Sequence, residues 1–294
     1  MEPTYQAATN ITHNHVVQNI EQLTFPPYSK KIRTMPIQEP YAGVWALDGN
    51  LMIGIILAET NNRGTSELFS FYVRPKYRNQ GIGNKLLTIL EETLKKQGVR
   101  ILRSRYWSDW KSVSVIEKML KSHDWETPSV IRRILYTPVT TFKEMYWPKL
   151  VLPSDYEIFK WESLTNKDKE DISNMLNEGK IIEAFNPFQH EKQVFLPVSL
   201  GLRVNGKIAG WNLGYALKAD TIEHNNLYIL EEFRNKGIAL KLLYDSIELQ
   251  YELKIPNVAW IINEDNVMAK RVIGRLTLHN ARKNIEVRSS QKIL

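Results

Sequence analysis

Two stretches of the chain set long cationic side chains beside a glycine turn: Arg78-Asn79-Gln80-Gly81-Ile82-Gly83 and Arg234-Asn235-Lys236-Gly237-Ile238-Ala239. Each follows an apolar strand-like run and opens a helix-like run. A strand that turns straight into a helix leaves several backbone N–H groups unpaired, and they carry the positive end of the helix dipole. Glycine there lets the main chain approach an anion closely and take turns closed to other residues. The chemistry is that of a pyrophosphate cradle. Arg74, Lys76 and Arg78 stand ready to add charge to the first copy, whereas Glu231 and Glu232 oppose an anion at the second.

The elements that must position these loops follow from the apolar pattern. Val44–Leu47 and Leu51–Ala58 read as strands joined across Asp48-Gly49-Asn50, with a further turn at Asn61–Gly64. Glu67–Val73 reads as the strand leading into the first loop. A helix over 83–96 carries Leu86, Leu87, Leu90 and Leu94 on one face and ends at Gly98. Val99–Tyr106 is a strand, Ser112–Ser122 a helix, and Ile131–Tyr136 a strand closing the first half. The order then repeats. Leu200–Val204 and Lys207–Ala216 flank Asn205-Gly206, Thr221–Leu230 leads into the second loop, and a helix, the strand Asn257–Ile262 and a helix over 265–276 follow. Before all this, residues 1–40 are mixed and Pro-dotted, with a helix expected over Val16–Leu23.

At a fixed offset of 156 positions, Glu67 meets Glu223, Tyr72 meets Tyr228, and Arg78, Asn79, Gly81, Ile82 and Lys85 meet the same residues. The chain is therefore a duplicated domain. The proline-bearing stretch Tyr146–Ser154 places the boundary, giving residues 1–148 and 149–294.

Composition sets bounds. The chain has 294 residues, 43% hydrophobic and 24% charged, enough for two cores. It has no cysteine, which excludes disulfides and thiolate nucleophiles. No apolar run is long enough to span a bilayer and the first residues do not read as a signal peptide, so a cytoplasmic protein is expected. The net charge of +7 favours anionic partners, phosphorylated cofactors and nucleic acid included, but the cations are scattered rather than run together. His13-x-His15 lacks a third ligand nearby, and no metal is expected. His224 is read as structural, Trp107 and Trp110 as core or cleft lining, and Phe185–Phe188 as a gating loop or a packed turn.

A Walker loop is absent, and so is the third glycine of a dinucleotide fingerprint. What remains, Val73-Arg74-Pro75-Lys76-Tyr77-Arg78-Asn79-Gln80-Gly81-Ile82-Gly83 running into Asn84-Lys85-Leu86-Leu87, resembles the GNAT superfamily of N-acyltransferases. The second copy, Leu230 to Leu243, resembles it too. The later family motif is visible at Asn266, Ala269 and Arg275-Leu276-Thr277-Leu278, and faintly at Lys121–Trp125.

The resemblance implies an α/β protein of two tandem GNAT-like domains, each a twisted mixed sheet flanked by helices. It implies acyl-CoA, acetyl or longer, as co-substrate and a small-molecule or peptide amine as acceptor. The pyrophosphate would rest on Arg78, Asn79, Gln80, Gly81, Ile82, Gly83 and Asn84, or on Arg234, Asn235, Lys236, Gly237, Ile238 and Ala239. The pantetheine arm would pair with the backbone of Phe71, Tyr72 and Val73. The thioester would lie where two strands splay, open to direct attack by the amine. Glu67 or Glu223, each eleven residues ahead of its loop arginine, matches the family's frequent base; the alternative is a strand-end charge in solvent. The family's tyrosine acid is replaced by Ile273 and Leu120, leaving Tyr72, Tyr106 or solvent. The flanking charges favour the first half as the main acyl-CoA site. Some relatives place fatty acyl groups on peptide lysine or ornithine. A non-catalytic acyl-CoA sensor and, on charge alone, a nucleic-acid binder are the competing readings, with no nucleic-acid partner expected.

Overall fold

The structure is a computed structural model describing residues 2–9, 23, 41–61, 64–144, 151–234, 236–277 and 281–294. The expected helix at Val16–Leu23 (apart from Leu23), His13 and His15, Asn235 and most of the proline-bearing boundary stretch lie outside the described residues. The strands are β1 (Thr4–Thr9), β2 (Tyr41–Asp48), β3 (Leu51–Thr60), β4 (Thr65–Val73), β5 (Ile101–Trp107), β6 (Ser129–Pro138), β7 (Tyr156–Lys160), β8 (Leu200–Val204), β9 (Lys207–Lys218), β10 (Thr221–Ile229), β11 (Asn257–Asn263) and β12 (Lys283–Ile293). The helices that concern the site are α1 (Ile82–Lys96), α2 (Val113–Ser122), α3 (Asn166–Asn177), α4 (Ile238–Glu252) and α5 (Val267–Thr277).

Two units of tertiary contact emerge, residues 1–131 with 286–294, and residues 132–285. In the first, the strands run β1-β2-β3-β4-β5-β12, antiparallel except for the parallel pair β4–β5. In the second, the order β7-β8-β9-β10-β11-β6 repeats that plan, with β10–β11 the parallel pair. These units differ from the division at 148/149 expected from the sequence. The strand read as closing the first half, Ile131–Tyr136, lies in β6 and pairs with β11 of the second unit. The first unit's place beside β5 is filled by β12, which the sequence reading did not foresee. A period-two pattern fixes which face a strand buries, but not which strand lies beside it.

The first core lies between this sheet and α1. Leu86, Leu87, Leu90 and Leu94 are fully buried against Val44, Ile53, Ile56 and Leu102. In the second unit α4 presents Leu242, Leu243 and Ile247 to the sheet. Asn266 accepts the Ala269 N–H at 2.9 Å at the start of α5, the helix start expected from sequence.

His224 is a core residue of the second unit. Its Nε2 faces Gln250 Oε1 at 3.0 Å, and Gln250 spends both amide protons on Ile255 O and Asn257 O. The Gln250 oxygen must therefore accept, so His224 Nε2 carries the proton. Nδ1 is left to accept from Asn212 Nδ2 at 3.3 Å. Ser246 Oγ also lies 3.3 Å from Nδ1 but directs its proton to Val198 O. Burial holds the imidazole neutral and lowers its pKa to about 4, partly offset by the Gln250 bond. The unfolded chain protonates near 6.5. The fold thus loses stability as pH falls from about 6.5 towards 4, by about 3 kcal/mol from this group. Urea melts at pH 7 and pH 4.5 are expected to show that loss in the wild type and a smaller one in His224→Gln.

Candidate active site

In both units the strand leading to the glycine turn parts early from its parallel neighbour. β4 pairs with β5 only from Thr65 to Leu68, and β10 pairs with β11 only from Thr221 to Glu223. The cause is a β-bulge. Leu57 pairs with Ser70 and Ala58 with Leu68, so Phe69 is the extra residue; Leu213 pairs with Asn226 and Gly214 with His224, so Asn225 is extra. The two bulges occupy the same repeat position. A bulge sharpens local twist and ends regular pairing, so each strand swings away from its neighbour and leaves an open edge. The sequence carries no glycine or proline at either bulge, and the notched edge was not legible there.

The Arg74 N–H is turned to Ile53 O at 2.8 Å. By the alternation of the ladder, Phe71 and Val73 then turn their amides to the open edge, and Tyr72 turns its own inward to β3. Of the three residues expected to carry a pantetheine arm, two present main-chain groups. Arg78 Nε donates to Val73 O at 2.9 Å, and Arg234 Nε makes the matching bond to Ile229 O at 2.8 Å. The guanidinium groups also lie over the rings of Tyr72 and Tyr228, at 5.7 and 5.5 Å. Each loop arginine is thus a tether between turn and strand.

The turns themselves match. A 3-10 turn, Pro75–Tyr77 or Glu231–Phe233, is followed by Arg78 or Arg234 in extended conformation. Gly81 and Gly237 cap the helices with φ of 77° and 76°. This left-handed conformation is costly for any side chain with a Cβ. Asn79, at φ 61°, is of the type that tolerates it. No side chain caps either helix, and the first helical bonds are Lys85 N–H to Gly81 O and Lys241 N–H to Gly237 O. The N–H groups of Ile82, Gly83 and Asn84, and of Ile238 and Ala239, therefore open outward at the head of the helix dipole. A Cβ on Gly83 would lie 3.4 Å from the Phe71 ring, a close but ordinary contact. At the second copy the smaller Leu227 stands where Phe71 does, and Ala239 fits.

Charge separates the two mouths. Lys76 and Lys85 are exposed at the first, and Gln80 Nε2 braces the loop on Lys76 O at 3.1 Å. Arg74 is drawn aside to Met52 O at 2.7 Å. Exposed Glu231 and Glu232 precede the second, where Lys241 is taken by Asp245 at 2.6 Å and Lys236 Nζ lies 3.5 Å from the Tyr156 hydroxyl.

The two candidate bases also differ. Glu67 faces Arg103 across the parallel pair, lies 3.5 Å from the Arg105 guanidinium, and its side chain is 33% exposed. Burial raises its pKa, while Arg105 and Arg103 pull it back. Glu223 is 6% exposed, and its Oε1 is buried without a hydrogen-bond partner. Burial raises its pKa too, with Arg132 as the opposing charge. It stands on the wall of a cleft of about 850 Å³ within the second unit. Tyr215, opposite Glu223 on β9, lines the same cleft, as does bulged Asn225. Neither of these two was singled out in the sequence; only the register across a hairpin could have found Tyr215.

The candidate acids are less well placed. Tyr106 is buried, its hydroxyl donates to Glu117 Oε1 at 3.1 Å, and burial with the Glu117 charge raises its pKa. Glu117 is held in turn by Arg288 at 2.8 Å. The Tyr72 ring packs against the Trp45–Ile55 cluster on the sheet face away from α1. Trp107 is exposed and Trp110 packs against the first core. Phe185 lies against Tyr228 at 5.2 Å and Phe188 joins the same core, a packed turn bordering the cleft.

Residues 14–109 match the Acetyltransferase (GNAT) family. No curated protein sequence matches the chain. Among solved structures, it is similar to a tandem GNAT protein from the clavulanic acid biosynthesis pathway, at 13% identity and a TM-score of 0.59, covering 99% of this chain and 98% of that one. It is also similar to a GCN5-related N-acetyltransferase from Sphaerobacter thermophilus, at 15% identity and a TM-score of 0.55, covering 98% and 95%. A probable N-acyltransferase from Enterococcus faecalis aligns at 12% identity and a TM-score of 0.53, over 99% of this chain and 72% of that one. The chain has the tandem GNAT fold, as the duplicated loop implied.

Proposed function

We propose that this tandem GNAT-fold chain transfers an acyl group from acyl-CoA to a primary amine by direct attack. The observation that carries the reading is the open edge of a splayed strand running straight into an uncapped helix mouth, present twice. An anion on the mouth and an extended arm on the edge would set a thioester in the notch between β4 and β5, or between β10 and β11. The amine nitrogen then attacks the carbonyl carbon, the C–S bond breaks, and the thiolate leaves. The proton lost by the ammonium goes to Glu67 or Glu223, directly or through water. Since Tyr106 holds its proton on Glu117, the second proton shed by the attacking nitrogen reaches the leaving thiolate through solvent or a cleft group.

The first loop is the tighter diphosphate site, because its flanks are cationic and those of the second are not. One observation favours chemistry in the second unit instead: Glu223 lines a cleft and has a buried oxygen with no hydrogen-bond partner, whereas Glu67 is ion-paired. Acyl length follows from neither. A small-molecule amine fits the cleft, and a peptide lysine or ornithine is the alternative acceptor. The placement we assign is cytoplasmic; among the described residues no helix is long and apolar enough to cross a membrane.

Gently purified protein examined by mass spectrometry is expected to carry a CoA thioester. It should release thiol from acetyl-, octanoyl- or palmitoyl-CoA only when an amine is present. Bound CoA with no release across an amine panel would instead make it a sensor. Salt-sensitive binding of oligonucleotides with none of CoA would replace both readings by a nucleic-acid one.

A further inference from the structure

The described wall of the second unit's cleft holds carboxyl groups and no lysine or arginine. Glu223 and Asp265 supply the carboxylates, and Asn225, Gln189, Gln193 and Asn186 supply amides. Glu223 is the decisive residue: it lines the cleft, it is 6% exposed, and its Oε1, itself shut off from solvent, accepts no hydrogen bond. A buried carboxylate oxygen left without a partner is costly, and an incoming cation removes that cost.

The guanidinium of exposed Arg132 is the charge that acts on Glu223. It is not part of the wall, and its Nε is bonded to Asn263 Oδ1 at 2.8 Å. Arg133 and Lys270 are likewise engaged, both by Glu264. His190 lines the rim and is exposed. Among the described residues of the wall there is no lysine or arginine to pair with a carboxylate.

We infer that this cleft binds a small primary-amine cation that carries no carboxylate, such as an aliphatic diamine or a guanidinylated amine, and discriminates against α-amino acids. The ammonium sits on Glu223, and the amide wall takes the hydrogen-bonding remainder of the molecule. The inference rests on the transferase reading only in naming that amine the acceptor; the binding itself does not depend on it.

Calorimetry on the full chain, without CoA, tests it with matched pairs: agmatine against arginine, and cadaverine against lysine. The decarboxylated member of each pair is expected to bind at least about tenfold more tightly. Glu223→Gln, which keeps the side-chain shape, should weaken the amines by about tenfold or more, and Asp265→Asn by less. Equal or tighter binding of the amino acids overturns the inference, as does the absence of binding by any amine. CoA titrated in parallel separates the two claims. Amine binding without CoA binding removes the transferase reading and leaves this one standing; CoA binding with amino-acid preference does the reverse.

Discussion

Gly81→Glu is expected to abolish acyl-CoA binding at the first loop while leaving the protein folded. Nothing lies within 4 Å of a Cβ built on Gly81, so the side chain meets no steric wall. The φ of 77° does impose strain, roughly 1–2 kcal/mol for an L-residue. The larger effect is chemical. A glutamate at the N-cap puts its own carboxylate over the amides of Ile82, Gly83 and Asn84, satisfying the donors that a diphosphate would use. Losing two charge-assisted hydrogen bonds at about 1.5 kcal/mol each is roughly a hundredfold in Kd. Gly237→Glu makes the same change where Glu231 and Glu232 already oppose an anion, and total acyl-CoA binding should fall by less than about tenfold. Equal losses from the two variants, by calorimetry, would remove the preference for the first loop.

Arg203→Ala should be the most damaging change to stability. Asp168 is only 4% exposed, at the head of α3. It completes a capping box, accepting from the Thr165 N–H at 2.9 Å and hydroxyl at 2.8 Å. Arg203 Nη2 donates to the same oxygen at 2.7 Å and Nε to the other, Oδ1, at 3.3 Å, and the guanidinium lies 3.7 Å over the Phe159 ring. Burial alone would raise the Asp168 pKa, but Arg203 and Thr165 together hold it at about 2. Removing the arginine leaves a buried carboxylate without its cation, a loss of about 3–5 kcal/mol, or roughly 10 °C in the melting of the second unit.

The pH dependence has a definite sign. A depressed carboxylate contributes stability above its unfolded pKa near 4, and that contribution is lost as pH falls towards 2. Wild-type protein should therefore weaken across that window, and Arg203→Ala should weaken less there because its Asp168 no longer titrates low. An unchanged melting temperature in the variant would show that the pair adds nothing.

Much of the site was legible because its parts are local. The glycine turn, its arginine and the leucines of α1 lie within one run of sequence, and each has a local physical cause. The glutamates came through resemblance and occupy matching places just ahead of the two bulges. What escaped was non-local. That Phe69 and Asn225 are extra residues depends on partners in β3 and β9, not on their own types. The exchange of last strands escaped because Ile131–Tyr136 carries a pattern any sheet would accept. β1, β7 and α3 were passed over because short or strongly polar segments show little periodicity, and they form where a sheet edge or a capping box offers partners. The difference between Glu67 and Glu223 was hidden for the same reason. Arg105 reaches Glu67 from another strand, whereas nothing meets Glu223 Oε1.

Backbone amide resonances of labelled protein, followed while CoA is added, test the central claim most directly. Gln80 to Asn84 are expected to shift together and early, with Phe71 and Val73 following along the open edge, and Gly81→Glu should erase the response. CoA that binds with those amides unmoved would contradict the account, and so would a chain that takes up no CoA at all.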